Sequence, residues 1–177
     1  MTKIVFSGFG GQGILTLGGI VANVAMVNDK QVTWMPSYGA EMRGGTANCS
    51  VIVSEKVIGS PIVLSDVDIL CAMNGPSLDK FLPIVKPGGK VFVNSSIVTK
   101  KVDRDDVDVI LVDVTNIATA LGDARVQNMV MLAGVLKAVD LYNLDDIEKT
   151  FEEKFAGKNP KLISLNMEAV KKGAELM

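Results

Sequence analysis

A run without a single charge, residues 4–28, limits what the N-terminal part of this chain can become. The run is long enough to cross a bilayer, but the glycines between Gly8 and Gly13 interrupt it. A signal peptide would need an unbroken apolar stretch followed by a small-residue cleavage site. The run therefore predicts a buried strand, a glycine-rich turn and a buried helix over 13–27, with no export signal and no membrane span.

Apolar runs and helical patterns alternate along the rest of the chain. Strands are predicted at 3–6, 31–35, 69–73, 90–94 and 109–112, with a β-hairpin formed by 49–53 and 57–58. Further helices are predicted over 75–85, 115–122 and 125–141, followed by one capped by Asp145 and a last one that starts at Pro160. This order predicts an α/β fold of three layers, α/β/α, with a mostly parallel Rossmann-like sheet and a helical C-terminal part. No linker or repeat divides the chain, so we expect a single domain over 1–177.

The composition excludes several classes of function. The 177 residues include no histidine and only two cysteines, Cys49 and Cys71, so His-based catalytic triads and common zinc sites are ruled out. Two thiols cannot hold an iron–sulfur cluster, and we expect both to be buried and structural in a reducing cytoplasm. Because histidine is absent and cysteine is scarce, the sequence predicts no metal site in this chain. A net charge of −2 offers no electrostatic field for binding nucleic acid.

The glycine-rich turn matches the G-x-G-x-x-G pattern between a strand and a helix. Glycines in this context let backbone N–H groups approach a phosphate at the helix N-terminus. We predict a cofactor-binding or active-site-facing loop made by Gly8, Gly10, Gly11, Gln12 and Gly13. A tight turn with no ligand is the equal alternative. A dinucleotide site would also need an acidic residue at the end of the second strand, and this strand ends without one.

The segment 36–48 mixes an aromatic, a carboxylate, an arginine and several glycines. Because it follows the second strand, we expect it near the glycine turn, at the carboxyl edge of the sheet. Its aromatic, methionine and arginine side chains are typical of a subunit interface, although a solvated surface loop is the alternative. The predicted interface residues are Tyr38, Glu41, Met42, Arg43, Gly44, Gly45, Thr46 and Asn48. Ser37 and Arg43 are also predicted to face the active site, where Arg43 would orient an anionic group.

Taken together, these motifs resemble the gamma subunit of 2-oxoacid:ferredoxin oxidoreductases, with the 2-oxoglutarate and 2-ketoisovalerate branches the most similar. The segments that carry the resemblance are 8–13, 36–49, 59–61, 86–89, 124–129 and 159–166. The family oxidises a 2-oxo acid with coenzyme A to acyl-CoA and carbon dioxide, and passes the electrons to ferredoxin. The resemblance implies that this chain supports the active site and assembly of such an enzyme, with 2-oxoglutarate the expected substrate.

The resemblance also implies partners and a division of cofactors. Alpha and beta subunits, together with a ferredoxin-like delta subunit in some members, would hold thiamine diphosphate, magnesium and iron–sulfur clusters. This chain would have no catalytic residue, would bind no cofactor of its own and would be inactive alone. The isolated chain could form a homodimer through its exposed partner-binding face.

Two other classes of function stay open. A stand-alone enzyme using S-adenosylmethionine or NAD would use the glycine turn, and the turn over 85–91 resembles one found in methyltransferases. That second turn is better explained as an ordinary helix-to-strand connection. A non-catalytic binding domain could share the same fold.

Overall fold

A computed structural model describes residues 1–38, 46–157 and 160–176. It shows a six-stranded sheet in the order β2-β3-β1-β4-β5-β6. The strands are β1 (Thr2–Phe9), β2 (Gln31–Tyr38), β3 (Thr46–Ser54), β4 (Val67–Ala72), β5 (Val85–Asn94) and β6 (Asp108–Val112). Strands β1, β4, β5 and β6 are parallel, while β3 runs antiparallel to both β1 and β2. The predicted α/β fold with a mostly parallel sheet is confirmed.

The helices divide unequally between the two faces of the sheet. They are α1 (Ile14–Val27), α2 (Gly75–Phe81), α3 (Val114–Ala120), α4 (Gln127–Ala138), α5 (Leu144–Lys154) and α6 (Pro160–Glu175). Helix α1 and helices α3 to α6 bury their apolar sides against one face, in a core that includes Phe6 and Cys71. The opposite face is covered by α2 and by the coil that carries Val98 and Val102, mainly over β1, β4 and β5.

The charge-free run folds as predicted, into a buried strand, a turn and a buried helix. Helix α1 buries residues on most of its circumference, from Ile14 to Ala25. Among the described residues, no helix is both long enough and apolar enough to cross a membrane.

The prediction that the second strand ends at residue 35, before Pro36, was wrong. The backbone N–H of Met73 donates to the carbonyl of Ser7 (2.8 Å), so Ser7 directs its backbone groups toward β4. Because backbone direction alternates along a strand, Phe6 faces β3, and its partner Cys49 faces β1. Pro36, which lies opposite Cys49, therefore faces away from β3 at the sheet edge. A proline needs no donor at that position, so β2 continues to Tyr38.

The predicted hairpin between 49–53 and 57–58 was also wrong. Strand β3 is already paired on both sides, by β2 and β1, and residues 57–58 belong to no strand. Val57 is 84% exposed, which shows that this part of the chain is not part of the sheet. The hairpin in the structure is the β2–β3 pair.

Several helices and strands begin or end at residues other than those predicted, because 3₁₀ turns, a register shift or a capping side chain lie at their ends. Helix α2 ends at Phe81 and passes into a 3₁₀ turn that contains Pro83. Strand β5 begins at Val85, and a shift in its register with β4 accommodates residues 86–89. The predicted helix over 125–141 starts with a 3₁₀ turn and continues as α4. The cap of α5 is Asn143 rather than Asp145, since its Oδ1 accepts the N–H groups of Asp145 and Asp146.

Candidate functional site

The glycine turn is closed by the side chain of Gln12. Its backbone N–H donates to the carbonyl of Phe9 (3.1 Å), while its Oε1 accepts the N–H of Phe9 (2.7 Å). Its Nε2 donates to the carbonyl of Met73 at the end of β4 (3.0 Å). This single amide therefore ties the turn after β1 to the neighbouring strand. A pattern search that counts only glycines does not detect this role.

Two of the glycines are required by packing inside the protein. A Cβ on Gly8 would lie 2.6 Å from both Gln12 Oε1 and the Ile14 side chain, and 3.0 Å from Met73 Cβ. Gly13 has a left-handed backbone, with φ of 72°, and a Cβ there would lie 2.9 Å from Cγ of Asn128. Gly10 is exposed, and Gly11 faces open space. The turn thus has a packed inner side and an open outer side.

The N-terminus of α1 lies on the open side of the turn. Gly13 precedes the helix without a side-chain cap, and the first turn of the helix contains no acidic residue. A shallow depression of about 210 Å³ is lined there by Phe9, Gly11, Leu15 and Thr16, among others. An anion at this end of the helix would meet backbone N–H groups. Anion binding stays a prediction, whereas the packing of Gly8 and Gly13 shows that a tight turn is formed.

The described ends of segment 36–48 lie beside the glycine turn. Tyr38 pairs with Ala47, and Ala47 pairs with Gly8, so the hairpin reaches the carboxyl end of β1. Ser37 and Thr46 are exposed, and Asn48 is half-buried. This is the placement that the sequence predicted. Glu41, Met42, Arg43, Gly44 and Gly45 lie outside the described residues, so their predicted roles stay predictions.

The structure adds residues from distant parts of the chain to this region. Asn128, in α4, donates from Nδ2 to the carbonyl of Gly13 (3.3 Å). A second depression, of about 220 Å³, adjoins Gly13 and is lined by Thr16, Arg125, Asn128 and Asn166 among others. Motif segment 124–129 and the described part of segment 159–166 therefore meet at the N-terminus of α1. The sequence signalled these segments only as motifs and assigned no role to their residues.

The two cysteines are buried, as predicted. Burial raises the pKa of the Cys49 thiol to about 12 and also raises the pKa of Cys71. The two thiols lie on opposite sides of Phe6, because β3 and β4 both pair with this residue of β1. Strands separated by a third strand are about 9–10 Å apart, too far for a disulfide. Within the described ranges, no cluster of three or more Cys, Asp or Glu side chains is arranged to hold a metal ion.

Replacing Gln12 with alanine is expected to destabilise the protein by about 1–2 kcal/mol. The change leaves the buried carbonyl of Met73 without its donor and the N–H of Phe9 without its acceptor. Urea unfolding measures the loss. Gln31→Ala is the matched control, because Gln31 is exposed on the edge strand β2 and should change stability by less than about 0.5 kcal/mol. Equal losses in the two variants would mean that Gln12 does not hold the turn.

The Asp123–Arg125 ion pair is expected to stabilise the fold in a pH-dependent way. Hydrogen bonds from the Arg125 side chain lower the pKa of Asp123 to about 2, below its ordinary value of 3.8. A lowered folded-state pKa gives stability that is present above pH 3.8 and is lost as the pH falls toward 2. Unfolding free energies of wild type and Arg125→Ala should therefore converge over that interval. When Asp123→Asn is added to both wild type and Arg125→Ala, the difference between their unfolding free energies should be independent of pH. If that difference still narrows as the pH falls, a group other than Asp123 is responsible.

Comparison with known proteins gives the family. The model of the pyruvate ferredoxin/flavodoxin oxidoreductase family matches residues 3–176. The ketoisovalerate oxidoreductase subunit VorA of Methanothermobacter thermautotrophicus is 40% identical over an alignment of 177 positions, which covers 98% of this chain. The chain spans only 36% of the length of that relative.

Two further relatives match over most of their own length. The 2-oxoglutarate synthase subunit KorC of Methanocaldococcus jannaschii is 34% identical, covering 83% of this chain and 80% of KorC. The crystal structure of the gamma subunit of a keto/oxoacid ferredoxin oxidoreductase from Geobacter sulfurreducens superposes with a TM-score of 0.82 at 30% identity. That match covers 99% of this chain and 97% of the other. The chain is therefore a member of the pyruvate ferredoxin/flavodoxin oxidoreductase family, and its fold is that of the family's gamma subunit.

Proposed function

We propose that this chain is the gamma subunit of a multi-subunit 2-oxoacid:ferredoxin oxidoreductase. The assembly would convert a 2-oxo acid, coenzyme A and oxidised ferredoxin into acyl-CoA, carbon dioxide and reduced ferredoxin. The observation that carries the proposal is the match to a gamma subunit over 99% of this chain and 97% of that subunit. Relatives named for ketoisovalerate and for 2-oxoglutarate both support a 2-oxo acid substrate. Of these we keep 2-oxoglutarate as the expected substrate and 2-ketoisovalerate as the alternative.

The residues of this chain do not fit the cofactors of that reaction. An iron–sulfur cluster needs several accessible thiolates, whereas both cysteines are buried and their pKa values are raised. Thiamine diphosphate is held through magnesium by a Gly-Asp-Gly motif, but Gly122 and Asp123 are followed by Ala124. Asp123 is moreover paired with Arg125. We therefore assign thiamine diphosphate, magnesium and the clusters to the partner subunits.

The role proposed for this chain is to cover part of the active-site region. Its contact surface would be the carboxyl edge of the sheet, where the glycine turn and the end of the β2–β3 hairpin meet. No charged residue occurs between Ile4 and Asn28, and Phe9 is 36% exposed on the turn. An uncharged turn that carries an exposed aromatic side chain, with Arg125 beside it, suits an interface, where aromatic residues and arginine are enriched.

Anaerobic affinity purification of the tagged chain from its own cells tests the proposal. The expected eluate contains stoichiometric alpha and beta subunits, identified by mass, together with iron and thiamine diphosphate. A chain recovered alone, free of iron and thiamine diphosphate, would contradict the proposal. Binding assays with NAD and S-adenosylmethionine at the glycine turn would then test the stand-alone alternative, and the oligomeric state of that sample would test the homodimer.

Arg43→Ala tests the proposed role of Arg43 in the assembled enzyme. Loss of the guanidinium removes a charge-assisted hydrogen bond to an anionic group, so we expect KM to rise about tenfold for the 2-oxo acid or for coenzyme A. Arg43→Lys keeps the charge but not the paired donors, and should give a smaller rise. If Arg43→Ala leaves both KM values unchanged, Arg43 orients neither molecule.

A further inference from the structure

We propose that the free edge of β2 is the docking site for an extended segment of a partner subunit, which adds a seventh strand to the sheet. The inference rests on the proposed function for the existence of the partner. The inference identifies the part of this chain that such a partner would contact and the kind of structure that the partner would supply.

The backbone of β2 offers an incomplete ladder of hydrogen bonds. The alternation that turns Pro36 outward also turns Val32, Trp34 and Tyr38 outward. These four residues present four carbonyl groups but only three N–H groups, since proline has none. An extended chain is the structure whose own backbone groups match such a row. Pro36 limits full pairing to the part of β2 before it.

The surface of this edge has little of the usual protection against pairing. Natural edge strands are guarded by charged side chains, by short length or by proline. Strand β2 is eight residues long and carries no charge, and only Pro36 interrupts it. Trp34 and Met35 are 43% and 39% exposed, and they lie on opposite faces of the sheet. A strand laid along β2 would cover part of both side chains.

The other edge of the same sheet is different. Strand β6 has five residues, and its first, Asp108, forms an ion pair with Lys90 of β5. The N–H of Ser95 donates to the carbonyl of Val112, so by alternation only Val109 and Leu111 direct their backbone outward. This edge is shorter and begins with a charged pair, and it provides an internal control for the test.

The position of β2 favours a partner subunit as the occupant. Strand β2 ends at Tyr38, which pairs with Ala47 beside Gly8 of the glycine turn. A partner seated on the contact surface proposed there would already lie beside this edge. The added segment should be apolar and uncharged, because a charge placed against Trp34 or Met35 would be desolvated without a counter-charge on β2.

Hydrogen exchange tests the inference on the isolated chain and on the complex purified with it. The outward N–H groups of Val32 and Trp34 should exchange at least tenfold more slowly in the complex, while those of Val109 and Leu111 should be unchanged. If the complex forms and exchange in β2 is unaltered, the inference is overturned and the proposed function stands. Protection that appears in the isolated chain and grows with its concentration would assign the edge to a second copy and overturn the inference. Failure to recover any complex would contradict the proposed function itself.

A pair of proline variants provides a second test. Val32→Pro removes one outward N–H group and leaves every hydrogen bond to β3 in place. Pro36, four residues later, already has a proline in the same outward orientation. We expect the variant to fold, with the core amides of β1 still protected, and to recover at least tenfold less partner subunit. Val109→Pro makes the same change at the β6 edge and should recover the wild-type amount. Equal recovery with both variants would overturn the inference.

Discussion

Gly173→Ala is expected to destabilise the protein by about 3 kcal/mol, the largest effect that we expect from a Gly→Ala change among the described residues. Gly173 lies where α6 crosses α4, and a Cβ there would lie 2.9 Å from the carbonyl carbon of Val130 and closer still to its oxygen. These are backbone atoms of a buried helix, so no side chain can move aside. The helices must separate, and the loss of packing outweighs the gain of up to about 1 kcal/mol that alanine brings to a helix interior.

Equilibrium unfolding in urea measures this effect. Gly19→Ala is the matched control, because a Cβ there would meet only the mobile end of Lys154, at 3.3 Å. That variant should be as stable as wild type or slightly more so. If Gly173→Ala is no less stable than Gly19→Ala, then α4 and α6 do not approach as closely as the structure shows.

Gly18→Ala is expected to destabilise the protein by about 2 kcal/mol and to loosen the β2–β3 hairpin. A Cβ on Gly18 would lie 3.2 Å from Trp34 Nε1 and 3.3 Å from the Phe6 ring, and closer to Cys49 Sγ. Helix α1 would be pushed away from the two strands on which the proposed interface is built. The neighbouring Gly19→Ala again serves as the control, since it lies in the same helix without such contacts.

The clash at Gly18 differs from that at Gly173 because one side chain causes most of it. Cys49→Ala removes the sulfur atom and should make room for the new methyl group. We therefore expect the double variant to be at least 1 kcal/mol more stable than the sum of the two single losses predicts. Additive losses would show that the helix is held off the sheet by other atoms.

The fold could be predicted from the sequence because its main signals are local. Apolar strands that alternate with helices specify an α/β sheet, and a charge-free run divided by glycines specifies a buried strand–turn–helix unit. The errors arose where the end of an element depends on how the strands pair in the folded sheet. Pro36 ends a strand only if its nitrogen faces a neighbour, and the pairing of β3 with two other strands decided that it does not.

The candidate site was predictable only in part, for a related reason. The glycines and segment 36–48 are visible as local patterns, and the glycines and the described ends of that segment lie at the predicted edge of the sheet. Gln12 and Asn128 act through contacts with Met73 and Gly13, which are 61 and 115 residues away in sequence. Such partners become neighbours only through the fold. The order of strands likewise could not be read from the chain, so the free edge of β2 was not foreseen.

The most direct test of the central proposal is the 2-oxo acid-dependent and coenzyme A-dependent reduction of viologen by the complex isolated with this chain. The assay compares 2-oxoglutarate, 2-ketoisovalerate and pyruvate, in extracts of cells with and without the gene for this chain. We expect rapid reduction with one of these acids, dependence on coenzyme A, and loss of the activity when the chain is missing and its return when the chain is restored. Full activity in the absence of this chain would contradict its assignment as a subunit of the enzyme.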